Sequence, residues 1–326
     1  MRKTINKLFL IITVISALLL TTGCDLFIKT NKGQVDQKWY MGLTYEDDNG
    51  NDTDYTIGTD GTIAAVALED GYGDEFGIIK GEEAYLNINT IIKNIDKRFY
   101  VDATNNLVMF TDATKTYKTK IGGKTINETE STDYVISFMD GKNCYVNVKF
   151  VKKYVDFDYK VVKAEGKSPA RIVLKYTSGE KNQMTVKSNI EMRTKADYQN
   201  LIVTTLKKNT KVIVLEESGD WTKVGTDDGF MGYVPAKKLK DKETKKTEFK
   251  SDADTYTHVL MNKKISLGWN AITNLTANGN LETIIEHTKG LNVISPTWYS
   301  LSDNKGNLRS YASATYVEKA HSKGLK

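Results

Sequence analysis

Lys211-Val212-Ile213-Val214-Leu215-Glu216-Glu217-Ser218-Gly219-Asp220-Trp221-Thr222-Lys223-Val224-Gly225 sets the fold class. Two runs rich in β-branched and aromatic residues flank Ser218-Gly219-Asp220, a composition that turns the chain back on itself. Outward from there, Thr226-Asp227-Asp228-Gly229 is a second turn and Phe230-Met231-Gly232-Tyr233-Val234 a further strand. Lys208-Asn209-Thr210 is a turn on the other side, with strands expected at 183–186 and 190–193. Short strands divided by tight turns predict a small all-β barrel over 183–240.

The order of Met192-Arg193, Thr205-Leu206-Lys207-Lys208-Asn209-Thr210, Glu216-Glu217-Ser218-Gly219-Asp220-Trp221 and Gly232-Tyr233-Val234 resembles the bacterial Src-homology-3-like domain. The chain departs from that pattern at Thr194-Lys195-Ala196-Asp197, where a Gly-Pro turn is usual. The resemblance implies binding to peptidoglycan. Tyr198, Trp221 and Tyr233 are then the candidate wall-ligand residues, because flat aromatic faces suit a sugar or peptide. Core filling is the favoured reading of Trp221 and Tyr233; Tyr198, in a loop, is the better ligand candidate.

The last stretch has a different pattern. Leu291, Val293 and Ile294 form a short apolar run between Gly290 and Pro296, as in a strand buried on both faces. A polar turn follows, then apolar residues at helical spacing, Tyr311, Ala314, Tyr316, Val317 and Ala320. Asn292-Val293-Ile294-Ser295-Pro296-Thr297-Trp298-Tyr299-Ser300-Leu301, with Lys264-Ile265-Ser266-Leu267-Gly268-Trp269 before it, resembles the first strands of glycoside hydrolase family 18. That likeness implies a (β/α)8 barrel acting on β-1,4 links beside N-acetylglucosamine, in peptidoglycan or chitin-like polysaccharide. Trp269, Trp298 and Tyr299 would be sugar platforms, with plain barrel packing the competing reading of Trp298. The family's Asp-x-x-Asp-x-Asp-x-Glu signature does not occur, so no catalytic residue is assigned. Residues 257–326 have room for two of eight strands, since such a barrel takes about 250 residues. The expectation is the start of an incomplete barrel, belonging to a longer protein or a broken gene product.

Between the chain start and the β-barrel lies a repeat. Tyr85-x-Asn87 matches Tyr145-x-Asn147, and Lys93, Asp96 and Val101 match Lys153, Asp156 and Val161. Residues 81–178 are therefore expected to form two small α+β units, with helices near 90–95 and 150–155. They resemble the stalk domain named after the amino-terminal domain of copper amine oxidases. No metal or other cofactor is implied, for the segment has no histidine and a single cysteine, Cys144, which reads as a small buried hydrophobe. Residues 24–80 read as β-rich, with strands near 39–44 and 62–67. Asp47-Asp48-Asn49-Gly50-Asn51-Asp52 fails calcium-loop spacing and reads as a hairpin turn. The Lys-rich residues 241–256 read as a solvated linker.

Arg2, Lys3 and Lys7 precede an apolar run from Leu8 to Leu20 that is short for a membrane span. It ends in Thr21-Thr22-Gly23-Cys24, which resembles a bacterial lipobox. Residues 1–23 would be a lipoprotein signal peptide, Cys24 the lipidated residue, and the protein a membrane-anchored resident of the outer cell surface and wall. Removing Arg2, Lys3 and Lys7 lowers the formal net charge from +5 to about +2. A near-neutral chain lacks the concentrated basic face that nucleic-acid binding needs. The whole reads as a multidomain protein, mainly β and α+β.

Overall fold

The computed structural model describes residues 30–250, 262–304 and 306–326. The leader and Cys24 lie outside the described residues. Two compact units divide the chain, Met1–Asp254 and Thr255–Lys326.

In the first unit, Asp36 accepts backbone hydrogen bonds from Lys38 and Trp39 and so starts helix α1, Gln37–Tyr40. This cap overrides the strand expected from 39–44. Strands β1, Thr44–Glu46, and β2, Asp52–Asp54, form an antiparallel hairpin. The Asp47 carboxylate accepts from the backbone N–H groups of Asn49 and Asn51, closing the turn.

Next come β3 (Thr62–Ala67), β4 (Gly77–Lys80), β5 (Glu83–Asn87) and helix α2 (Ile88–Thr90), which continues as a π-turn over Ile91–Ile95. Strands β6 (Phe99–Asp102), β7 (Leu107–Thr111) and β8 (Thr116–Lys120) form a separate three-stranded sheet. Then follow β9 (Thr125–Ile126), β10 (Glu130–Ser131), β11 (Ser137–Asp140), β12 (Asn143–Asn147), α3 (Val148–Lys152), β13 (Asp158–Val162) and β14 (Ala170–Lys175). The main sheet has the order β11-β12-β5-β4-β3-β14-β13, with β3 and β14 parallel.

The repeat has a physical cause. β5 and β12 pair antiparallel, with Tyr85 opposite Asn147, Leu86 opposite Val146 and Asn87 opposite Tyr145. Each copy is thus related to the other by a local two-fold at Leu86 and Val146. Asn87 and Asn147 are buried helix caps: Asn87 accepts from the Asn89 N–H, and Asn147 from the Lys149 N–H. Their amides donate in turn to Glu75 and Glu83. The paired copies share one sheet, in which the edge of each is covered by the other.

This sheet is apolar on both faces. Ala64, Val66, Ile79, Leu86 and Val146 face the helices and the three-stranded sheet, packing with Phe99, Phe110, Phe150 and Phe157. Their alternates Ala65, Ile78, Tyr85 and Tyr145 belong to a second cluster on the other side.

That second cluster includes the interior of the next element group. Strands β15 (Gly179–Val186), β16 (Ile190–Arg193), β17 (Ile202–Leu206), β18 (Lys211–Ser218), β19 (Trp221–Gly225), β20 (Met231–Pro235) and β21 (Leu239–Thr247) form one sheet in the order β17-β16-β20-β19-β18-β15-β21. It curves around Val186, Met192, Val203, Leu206, Val212, Val224, Val234 and Leu239 without closing as the expected barrel. The β17 edge is covered by the chain start: the Val35 N–H donates to Ile202, and the Ile202 N–H to Gly33. The Lys-rich segment read as a linker from residue 241 is, up to Thr247, the strand β21. It pairs with β15, with Glu180 opposite Lys246. Exposed lysines on an edge strand discourage pairing with another chain.

Polar ties reinforce the apolar join. The buried Arg171 guanidinium, on β14, donates to the Asp228 carbonyl at 2.6 Å and stacks 4.2 Å from the Phe230 ring. The Tyr72 hydroxyl donates to the Gly229 carbonyl, and Tyr40 to that of Met231. Gly229 has φ +85°, and a Cβ there would lie 2.8 Å from Val173 Cγ2.

In the second unit, β22 (Leu267–Asn270) and β23 (Val293–Pro296) pair in parallel, Gly268 opposite Ile294. Helix α4, Leu281–Glu286, lies on the crossover between them. A hairpin of β24 (Tyr299–Leu301) and β25 (Leu308–Ser310) follows, and then α5 (Ala314–Ser322), capped by Ser313. Ile272, Leu281, Ile294, Tyr316, Ala320 and Leu325 form its core. Lys326 bonds through its backbone to Asn292 and Ile294, on the free edge of β23.

Gly229→Ala should destabilise the first unit by about 2–3 kcal/mol, combining left-handed strain with the clash. Gly219→Ala, with φ +58° but nothing within 4 Å, should cost only about 1 kcal/mol. Urea unfolding of both variants checks the difference; equal losses would contradict the close approach.

Candidate functional site

Strand register decides which side chains share a face. On β19 and β20, Trp221 is opposite Pro235 and Lys223 opposite Tyr233, while Arg193 of β16 is opposite Tyr233. Partners directly across a ladder point the same way. Their alternates Val224 and Val234 fill the interior, so Trp221 and Tyr233 lie on the outer face.

Trp221 is nevertheless only 9% exposed. Tyr198 covers it, edge to face, with ring centroids 4.8 Å apart. Tyr198 belongs to the loop between β16 and β17, the loop that departs from the Gly-Pro pattern. The Asp197 carboxylate accepts from the Gln199 N–H, and the Asn200 N–H donates to the Asp197 carbonyl. These bonds bend the loop in place of a proline.

Arg193 holds this loop from beneath. Its side chain is 1% exposed and ion-paired with Glu191. The guanidinium donates to the carbonyls of Asn200 at 2.6 Å and Asn31 at 2.9 Å, and lies 5.8 Å from the Tyr198 ring centroid. One planar fork thus ties the loop, the chain start and the aromatic pair together. Arg193 is a site-building residue that its sequence neighbourhood marks only weakly. The available signal was an arginine inside a short β-strand next to a loop, where a charge needs several acceptors.

Tyr233 stands apart from this pair, diagonally across β19 and β20. Burial raises its hydroxyl pKa, with the Glu216 carboxylate adding to the effect. Tyr40 lies near it; burial and then Tyr233 push the Tyr40 hydroxyl up to about 12. The structure therefore brings Tyr198 and Trp221 into contact and places Tyr233 beside Tyr40 and Glu216.

In the second unit, Trp269 is 77% and Tyr299 61% exposed. Trp298 is half-buried: its indole N–H donates to Asn278 Oδ1 at 2.8 Å, and its ring meets Tyr316 edge to face. The buried Asn270 side chain donates to the Tyr316 hydroxyl at 2.8 Å. Trp298 is thus a wall of the small core, while Trp269 and Tyr299 are exposed. Cys144 is buried in the main-sheet core, and that burial pushes its thiol up to about 11, away from nucleophilic use. Among the described residues no three His, Cys, Asp or Glu side chains converge as a metal cage.

Residues 188–240 match the family model described as Bacterial SH3 domain. No curated protein and no solved structure matches the chain. The likenesses to glycoside hydrolase family 18 and to the amine-oxidase stalk find no support in these comparisons.

Arg193→Lys should keep the charge but lose the fork, at a cost of about 3 kcal/mol. Amide exchange at Thr194 and Ile202, which bond across the loop and to the chain start, should quicken before global unfolding. Unchanged exchange there would contradict the role given to Arg193.

Proposed function

We propose that this protein is retained at the bacterial cell wall by its SH3-type module, which binds peptidoglycan through the Tyr198–Trp221 face. The observation that carries this reading is the coincidence of the Bacterial SH3 match with the half-buried Tyr198 ring seated over the buried Trp221. An aromatic ring backed by a second ring and a locked loop loses little freedom on binding, so its contact area converts into affinity. Tyr233 would border the site, its hydroxyl already turned toward Glu216.

Cys24 would carry lipid and hold the chain on the outer face of the membrane. Two or more acyl chains suffice for stable anchoring. In that position the SH3-type module would act as a second, wall-directed grip.

A second reading concerns residues 257–326. Parallel pairing of β22 with β23, a helix-bearing crossover, and Trp269 and Tyr299 exposed at or beyond the carboxyl ends of the strands favour a family 18-type β/α arrangement. In such barrels ligands meet that end of the strands. The substrate would be an N-acetylglucosamine polymer, with Trp269 and Tyr299 as sugar platforms. The acid of such a reaction needs a carboxyl of raised pKa beside a second carboxylate. With no Asp-x-x-Asp-x-Asp-x-Glu in the 326 residues, this polypeptide supplies binding without turnover.

Co-sedimentation with isolated cell walls tests the proposal. The full chain should be retained, and Tyr198→Ala should weaken retention at least tenfold, about 1.4 kcal/mol. Chito-oligosaccharide should be recovered uncut. Undiminished retention of Tyr198→Ala would refute the assigned face, and hydrolysis would refute the binding-only reading.

A further inference from the structure

A cleft lies between β14 of the main sheet and the outer face of the SH3-type sheet, apart from Tyr198 and Trp221. The register puts its walls together: Gln183 is opposite Ile213, and Lys181 opposite Lys245. Leu215 projects beside them from a bulge in β18, and Gly225, with no side chain, leaves space in front of it. The floor is apolar, made by Leu68, Val173, Ile213, Leu215 and Met231 around a cavity of about 310 Å³. That volume is at the small end of ligand pockets.

The mouth is cationic. Lys175, Lys181, Lys211 and Lys245 line it together with Glu69 and Asp227. Both carboxylates are already engaged. Glu69 is bound by Lys181 at 2.9 Å and by the backbone N–H groups of Tyr176 and Thr177. Asp227 takes Lys160 and Lys175, each at 2.8 Å. Lys211 stands 4.0 Å from Glu243, an exposed pair, and Lys245 forms no ion pair among the described residues. Positive charge is therefore left over beside an apolar hollow.

We propose that this cleft binds a small amphiphilic anion, with its apolar body on Leu215 and Ile213 and its carboxylate at the rim to which Lys211 and Lys245 contribute. An apolar floor takes a hydrocarbon chain or aryl ring by removing it from water. The floor offers a sugar few hydroxyl partners, and the rim repels cations. This site is independent of the wall-binding face.

Calorimetric titration of the full chain with sodium decanoate at low salt tests it. One saturable site with a dissociation constant below about 1 mM is expected. K211E/K245E, changed only at exposed lysines, should bind at least tenfold more weakly, and so should wild type toward decanol, which lacks the charge. Leu215→Arg, with folding checked by circular dichroism, should bind none. Absence of saturation in wild type, equal affinity of K211E/K245E, or equal binding of decanol would each overturn the proposal. Retention of K211E/K245E on cell walls should be unchanged, so failure here leaves the wall-binding reading standing.

Discussion

A sheet that is apolar on both faces must be covered twice, and this requirement organises the first unit. Ala64-Ala65-Val66-Ala67 has no polar side for water. One face takes the helices and the three-stranded sheet, the other takes the chain start and the SH3-type strands. Burial of that second face gives hydrophobic stabilisation that neither partner has alone. The SH3-type module is thus half of a joint core, and the ties from Arg171, Tyr72 and Tyr40 fix its orientation on the other half.

The same join positions the site. Arg193 spends its donors on a loop of the module and on the chain start, so the loop bearing Tyr198 is held from two sides. The cleft with its lysine mouth also exists only because β14 lies against the module's outer face. Excising the module to study wall binding would remove both supports, which makes single-residue variants the cleaner probe.

The sequence was most legible where local chemistry and tertiary need agree. Turn residues at Ser218-Gly219-Asp220 and Thr226-Asp227-Asp228-Gly229 announced the strands around them, and the bacterial SH3 domain was readable from its residue order. The Tyr-x-Asn repeat was visible, but its meaning was not: the asparagines cap helices, and the copies pair with each other across a two-fold. Pairing between distant segments leaves no local trace. For the same reason β21 read as a linker. Its lysines look solvated because they are, and its strand character comes from backbone pairing with β15. Gly229 looked like an ordinary turn residue, and nothing nearby in sequence announced Val173 above it. In the second unit one strand of the parallel pair was readable from its apolar run at 291–294 and the other only from the likeness of residues 264–269 to a known first strand, whereas the exposure of Trp269 and the anchoring of Trp298 by Asn278 depend on packing.

The joint core is tested most directly by thermal unfolding of residues 179–250 as a separate polypeptide beside the full chain, followed at amides of β19 and β20. If the account is right, the excised module melts at least about 10 °C lower or loses its cooperative transition, reflecting a loss of about 2 kcal/mol or more. A cooperative transition at the same midpoint in both would mean that the module is self-sufficient and that the shared core is not what holds it.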